Sequence, residues 1–124
     1  MSLTFDAGAL IAFERNDGRV VRVLQLALAD GVRIAIPAGV VAQVWRDGRQ
    51  QARLARLLRS RVVELVPLDI EQARNAGALC GRTSTDDVID ASVVLCARHR
   101  NHGVMTSDPD DLHRLDPTLR LVVV

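Results

Sequence analysis

The chain has 124 residues, of which 48% are hydrophobic, a length that suits one compact domain over residues 1–124 and is too short for two. No run approaches the roughly 20 consecutive apolar residues of a membrane span, and the N-terminal sequence lacks the basic start and cleavage site of a secretory signal, so a cytoplasmic protein without a membrane partner is expected. All 16 basic residues are arginine, which excludes chemistry that needs a lysine ammonium group.

The first half of the chain alternates short apolar strands with helical segments. The strand "LTFD" ends at Asp6 and leads into the helix "AGALIAFER", and the next helix, "RVVRVLQLALADG", stops at Gly31. The strand "VRIAIP" precedes the helix "AGVVAQVWRDG", which Gly48 is predicted to close, and a further helix, "RQQARLARLLRS", leads to the strand "VVELV".

The second half continues the alternation. A helix from Asp69 is predicted to end at Gly81, and a loop then leads to a long helix that is capped by Thr85 or Asp86 and runs to His99. The strand "GVMTS", a short acidic turn "DPDDLHRL" and the strand "LRLVVV" follow. This order predicts a three-layer α/β/α sandwich with a central, mostly parallel sheet.

The net charge of +1 conceals an uneven distribution of acids. From Asp86 to Asp111 there are six acids and two arginines. Asp90 shares a helix face with its neighbours three and four residues earlier, and like charges at that spacing repel by a few tenths of a kcal/mol. Asp6 and Asp108 each follow a strand, and parallel strands end at one edge of a sheet. If Asp6, Asp90 and Asp108 converge, Mg²⁺ or Mn²⁺ is the expected occupant.

Other charged residues allow a structural and a functional interpretation. Asp86 is interpreted as a helix cap, and Asp110, Asp111 and Asp116 individually as solvated loop acids. Arg49, Arg53 and Arg56 lie at i, i+4 and i+7 of a predicted helix, so they form either an RNA-binding stripe or a solvated face. Arg46 and Arg82 are further candidates for RNA binding.

Two segments carry a resemblance to a known family. "LTFDAGALIAF" and "DASVVLCARHRNHGVMTSD" resemble the opening and closing signatures of the PIN-domain family, in particular the small VapC-type toxins of toxin–antitoxin pairs. The resemblance implies a metal-dependent endoribonuclease that leaves a 5′-phosphate and a 3′-hydroxyl. It also implies inhibition by a cognate VapB-type antitoxin, and a homodimer. We expect the antitoxin groove on the helices at residues 18–30 and 38–60.

The resemblance also assigns site residues. Asp6, Asp90 and Asp108 correspond to the family's acids, Asp87 and Asp110 stand where some members have additional acids, and Thr106 matches a polar residue of the pocket. The implied catalytic acids are therefore Asp6, Asp87, Asp90 and Asp108, and the implied metal ligands are these four together with Asp110.

One position departs from the family pattern. Members usually have a glutamate in the helix after the second strand, where this chain has Gln43, which brings no charge. Asp87 is the expected source of the missing charge, and Asp47 is a weaker substitute. A PIN-like binding module without catalysis therefore stays an alternative. A phospho-accepting signalling domain is a more distant one, because its usual pocket lysine is absent.

Overall fold

The computed structural model describes residues 2–124. In this range the strands are β1 (Leu3–Phe5), β2 (Ile34–Pro37), β3 (Val63–Val66), β4 (Gly103–Thr106) and β5 (Leu121–Val123). The helices are α1 (Ala7–Glu14), α2 (Gly18–Asp30), α3 (Ala38–Val44), α4 (Ala52–Leu58), α5 (Ile70–Thr83), α6 (Val88–Arg100) and α7 (Pro109–Leu115). None of these helices is long and apolar enough to cross a membrane.

The five strands form one parallel sheet in the order β3-β2-β1-β4-β5. The chain builds outward from β1 to β3 and then returns to the other side of β1 to add β4 and β5. Strand order therefore reverses between β1 and β4, where Phe5 is in register with Met105. Because crevices open at the carboxyl ends of strands at such a reversal, the residues after β1 and β4 are placed at the expected site.

Helices cover the sheet to give the predicted three-layer α/β/α sandwich, which is confirmed. Helix α6 packs across β1, β2 and β4, with α5 and α7 against it, whereas α1 packs on β1 and β4 with α2, α3 and α4 around it. Phe5, Ile36, Val94 and Met105 are fully buried between these layers. Burial of each such side chain contributes about 1.5 to 3 kcal/mol.

Helix α3 ends earlier than predicted, at Val44 instead of Gly48. The Gln51 side chain accepts hydrogen bonds from the backbone N–H groups of Arg46 (2.7 Å) and Asp47 (3.0 Å) and donates to the Val44 carbonyl (3.0 Å). These bonds satisfy backbone groups that would otherwise continue the helix. Closure by Gly48 was therefore wrong, because a side chain further along the chain ends α3.

Helix α5 runs past Gly81 and ends at Thr83, so the prediction of a stop at Gly81 was wrong. The Thr83 hydroxyl donates to the Leu79 carbonyl at 2.8 Å. Ser84 then adopts a left-handed conformation with φ of 55° and supplies the C-cap. A polar residue in this role is uncommon, which explains why the glycine was the stronger signal in the sequence.

The predicted acidic turn is helix α7, with Pro109 in its first turn and Leu112 and Leu115 buried beneath it. Asp116, which follows α7, is only 5% exposed and is not a solvated loop acid. It accepts hydrogen bonds from Arg98 (2.8 Å) and from the Thr118 hydroxyl (2.6 Å). Burial favours its protonated form, but these bonds outweigh burial and lower the pKa of Asp116.

Candidate active site

Asp6 follows β1 directly and is only 5% exposed. Its extended backbone makes it the N-cap of α1, and its Oδ1 accepts a hydrogen bond from the Ala9 N–H at 2.9 Å. Burial raises the pKa of Asp6, and the nearby charge of Asp108 acts in the same direction, while hydrogen bonds from Thr106 and Ala9 oppose the rise. Asp6 is therefore a fixed, poorly solvated carboxylate at the strand reversal.

Asp108 lies beside Asp6, just after β4. Its backbone N–H donates to the hydroxyl of the fully buried Thr106 at 2.8 Å. Thr106 thus contacts both acids. The carboxyl of Asp108 is exposed, and a hydrogen bond with Asp111 and the charge of that residue raise its pKa. The carboxylates of Asp108, which precedes α7, and Asp111, which lies on α7, are therefore close together.

Asp90 lies in the first turn of α6, and Asp87 caps this helix by accepting the Asp90 N–H at 2.9 Å. The prediction that Thr85 or Asp86 is the cap was wrong. Burial and, in decreasing order, the charges of Asp87, Asp6, Asp111 and Asp108 together raise the pKa of Asp90 to about 7. The three acids predicted to converge therefore act on one another electrostatically.

Asp87 and Asp90 line a cleft of about 210 Å³ beside the start of α6, whereas Asp6 and Asp108 lie outside its lining. Its lining includes Thr85, Asp86, Asp87, Asp90, Asp111 and Arg114. Hereafter "acidic cleft" refers to these six residues. Asp111 was missed as a site residue because its segment, which is helix α7, was interpreted as a turn. Residues three apart, such as Asp108 and Asp111, are neighbours only in a helix. Asp110 is exposed on α7 and contributes a charge that raises the pKa of Asp108.

A larger cavity of about 350 Å³ lies between the connection from β3 to α5 and the outer part of α6. Among the described residues, Asp69 is the one carboxylate in its lining, and the Oδ1 of Asp69 already caps α5 by accepting the Gln72 N–H at 2.8 Å. The acidic cleft is smaller, but it holds four carboxylates, and the pKa of one of them, Asp90, is raised to about 7. It is therefore the better candidate for catalysis.

The site suits a hard divalent cation in its donor chemistry. The donor atoms that its aspartates offer are all oxygens, and a cation would relieve the repulsion that, together with burial, raises the pKa of Asp90. Among residues 2–124, no three His, Cys, Asp or Glu side chains already stand at the spacing of a metal site. An ion would therefore have to draw the carboxylates of Asp6, Asp90 and Asp108 together.

Gly8 allows the turn after Asp6 to approach the loop that carries Asp108. A Cβ at Gly8 would clash with the Ser107 hydroxyl and lie 3.0 Å from the Ser107 backbone nitrogen. Because backbone cannot rotate away as a side chain can, we expect Gly8→Ala to lower the free energy of unfolding by about 1 to 3 kcal/mol and to shift Asp108. Urea denaturation measures the first effect, and the catalytic rate measures the second.

Gly77→Ala is the matched control for this substitution. Gly77 lies inside α5, and a Cβ there would meet nothing within 4 Å. This substitution should raise the free energy of unfolding by up to about 1 kcal/mol. Equal stability of Gly8→Ala and Gly77→Ala would contradict a close contact between α1 and the loop that carries Asp108.

The predicted arginine stripe does not exist as a helix face. Arg49 lies in a turn before α4, which begins at Ala52. Arg53 lies over the Phe13 ring at 4.8 Å from its centroid and donates to Asn16 at 3.2 Å. Arg56 lines an apolar groove beside Phe13 rather than the acidic cleft. The helix boundary, which the sequence pattern set too early, is the reason for this error.

The remaining predicted site residues occupy exposed positions. Arg46 donates to the carbonyls of Trp45 (2.7 Å) and Ala42 (3.3 Å), and Arg82 lies in the last turn of α5, shortly before the acidic cleft. Gln43 is exposed on α3. This helix packs closely on α6, because a Cβ at Gly39 would lie 2.5 Å from the Ile89 Cδ1. Gln43 is thus on a helix that contacts the residue next to Asp90.

Comparisons with known proteins agree with this architecture. A family model described as PIN domain matches residues 3–116. No curated protein matches the sequence. The crystal structure of VapBC2 from Rickettsia felis, bound to a DNA fragment from its promoter, aligns with a TM-score of 0.73 at 18% identity, covering 100% of this chain and 99% of that one.

Two further solved structures are similar at low identity. VapC20 from Mycobacterium tuberculosis, described as a toxin that cleaves the sarcin-ricin loop, has a TM-score of 0.63 at 16% identity and covers 83% of this chain and 87% of its own. FitAcB from Neisseria gonorrhoeae has a TM-score of 0.62 at 18% identity and covers 96% of this chain and 95% of its own. At these identities the likeness concerns the fold.

Proposed function

Because the chain belongs to the PIN domain family, we propose that it is a divalent-metal-dependent endoribonuclease and the toxin of a type II toxin–antitoxin pair. The observation that carries the proposal is the set of mutually repelling carboxylates at the strand reversal. Burial and the charges of four other aspartates raise the pKa of Asp90 to about 7. Perturbed acids of this kind concentrate at catalytic sites.

The acids have two roles in the proposed reaction. Asp6, Asp90 and Asp108 would hold Mg²⁺ or Mn²⁺, with Asp87 and Asp110 adding negative charge nearby. When bound, the ion would lower the pKa of a water and stabilise charge on the phosphate. The cap bond from Ala9 fixes the Asp6 side chain, and Thr106 fixes the backbone of Asp108. These bonds pre-organise the carboxylates before the ion arrives.

A cleavage assay on labelled single-stranded RNA tests the proposal. Purified protein should cleave RNA with Mg²⁺ or Mn²⁺ and lose that activity in EDTA. The products should carry a 5′-phosphate and a 3′-hydroxyl. Failure to cleave a panel of structured and unstructured RNAs with either ion would favour the alternative, a PIN-fold binding module, which Gln43 motivates.

An apolar groove supports the proposed antitoxin partner. Two adjoining cavities, of about 260 and 350 Å³, share Leu28 and Val62 and extend along α2. Phe13, Leu24 and Leu57 contribute to the apolar floor. Four arginines line the same cavities: Arg33, Arg53, Arg56 and Arg61. The resemblance to VapBC2 supports an antitoxin partner, and the charge of this groove favours an acidic amphipathic segment as its occupant.

Leu28→Glu should weaken antitoxin binding by at least about tenfold. It places a negative charge in the groove, which repels an acidic segment, and it removes an apolar contact. Leu28 is 53% exposed, so the free protein should still fold. Isothermal titration with the cognate antitoxin of the proposal measures the affinity. Leu26 is 42% exposed on the same helix and does not line the groove, so Leu26→Glu is the matched control. Equal affinity of the two variants would contradict this placement.

A second copy of the chain is the other protein partner in the proposal. Leu65, Leu68 and Ile70 are 49%, 42% and 70% exposed around the free edge of β3. Clustered apolar side chains of this kind are typical of an interface. We place the homodimer contact there, and the mass in solution by light scattering tests it.

A further inference from the structure

The acidic cleft presents an electrostatic problem for a nuclease. Four of its lining residues, Asp86, Asp87, Asp90 and Asp111, are acids, and each phosphate of RNA carries a negative charge. A cation held by Asp6, Asp90 and Asp108 would offset the charge at the reacting phosphate but not along the neighbouring backbone. The substrate therefore needs a positive group beside these acids.

Arg114 is the one basic side chain that lines this cleft within the described residues. It lies in the last turn of α7, the helix that begins next to Asp108. Leu112 and Leu115 are buried and fix the helix on the core, so the distance from Arg114 to the Asp108 end is set by a rigid element. The guanidinium group is thus presented beside the acids without a mobile loop.

The side chain of Arg114 is also available to a ligand. It is 72% exposed, and it contacts Asp111 at 3.5 Å, a long distance for an ion pair. An exposed pair of this kind contributes about 0 to 1 kcal/mol. Two arginines of α6 are bound more firmly. Arg98 binds the buried Asp116 at 2.8 Å, and Arg100 binds both carboxylate oxygens of Glu64 at 3.0 and 2.9 Å.

We propose that Arg114 binds a backbone phosphate next to the scissile one and rests on Asp111 when RNA is absent. The inference rests on the proposed ribonuclease function and deepens it, since it moves substrate binding from α4 to α7. Guanidinium groups bind phosphate through paired N–H donors, and Arg114 directs one donor, its Nη1, at Asp111. Arg114 is thereby a substrate-positioning residue and not a metal ligand.

The first experiment measures binding without cleavage. Asp6→Asn serves as the background, and fluorescence anisotropy with labelled single-stranded RNA at fixed Mg²⁺ gives the Kd. Adding Arg114→Ala should raise the Kd by about tenfold. It should also reduce the slope of log affinity against log salt by about 0.7, the loss of one phosphate contact. Arg114→Lys should recover part of both effects because it keeps the charge.

Arg22→Ala is the control, since Arg22 is exposed on α2 and its removal changes the net charge equally. It should change the Kd less than twofold. Equal Kd and salt slope for the Arg22 and Arg114 variants would overturn the proposal, and so would the absence of RNA binding in every variant. A thermal melt by circular dichroism should show that Arg114→Ala folds normally.

The second experiment uses the catalytically intact chain. Arg114→Ala should raise KM by about tenfold and leave kcat within about threefold of the native value. A fall in kcat at unchanged KM would mean that Arg114 acts through Asp111 on the carboxylates, which overturns the phosphate contact. If the native chain does not cleave RNA, the ribonuclease function fails by itself, and the binding experiment still decides the role of Arg114.

Discussion

Replacing Asp6 with asparagine should lower RNA cleavage by at least about 100-fold while leaving the fold intact. Asparagine removes the negative charge that the proposed ion requires. It retains an oxygen that can accept the Ala9 N–H, so the cap of α1 survives. Rates at saturating Mg²⁺ and a thermal melt measure the two effects together.

Two controls separate the charge of Asp6 from its structural role. Asp6→Ala removes both charge and cap and should lose about 1 kcal/mol of stability in addition to activity. Glu71→Gln removes one exposed carboxylate in the first turn of α5 and should retain native cleavage. Cleavage by Asp6→Asn at the native rate would point to a contaminating nuclease or to a site elsewhere in the fold.

Replacing Asp90 with asparagine should abolish cleavage and at the same time stabilise the metal-free protein at neutral and alkaline pH. In the folded chain, burial and four neighbouring acids raise the pKa of Asp90 from 3.8 to about 7. The full shift would correspond to about 4 kcal/mol. Water screens a partly exposed side chain, so we expect a gain of about 1 to 2 kcal/mol, or about 3 to 8 °C in Tm.

The pH dependence of this gain has a definite sign. A carboxyl whose pKa is raised by folding binds its proton more tightly in the folded state, so its contribution to stability is complete below pH 3.8 and is lost as pH rises towards about 7. The raised pKa of Asp6 acts in the same direction. The Tm difference between Asp90→Asn and the native chain should therefore be small at pH 4 and largest near pH 8.

Thermal melts in EDTA at several pH values measure this difference, and addition of millimolar Mg²⁺ should raise the Tm of the native chain more than that of Asp90→Asn. Glu71→Gln, without acidic neighbours in the cleft, should not share the gain at pH 8. A native chain that is more stable than Asp90→Asn at pH 8 in EDTA would refute the repulsion on which the site assignment depends.

The sequence pattern predicted the architecture well but several boundaries poorly. Alternating strands and amphipathic helices determine a parallel α/β sandwich, because each apolar face must be buried against another layer. Helix ends depend on single hydrogen bonds that can come from anywhere in the chain. The Gln51 side chain ends α3 at Val44, seven residues earlier in the chain. Helix α5 was expected to end at Gly81, but Ser84 supplies its C-cap.

The candidate site divides in the same way. Asp6, Asp90 and Asp108 could be named from the sequence because each follows a strand or lies at the start of a helix. Sites in parallel sheets form at these positions. Asp111 and Arg114 could not be named, since their segment was interpreted as a turn, and only as helix α7 does it carry them into the acidic cleft. The arginine stripe, in contrast, was predicted on a helix that begins at Arg49. Helix α4 begins only at Ala52, so Arg49 does not share a helix face with Arg53 and Arg56.

By itself the sequence determined the layers, the strand ends and the acids that follow them, because hydrophobic periodicity and local turn chemistry are written in neighbouring residues. The tertiary structure alone decided that the buried Asp116 pairs with Arg98 and that Arg53 stacks on Phe13. It also decided that Arg114 lines the acidic cleft. Each of those outcomes depends on desolvation and on distances between segments far apart in the chain, and neither quantity has a local sequence signal.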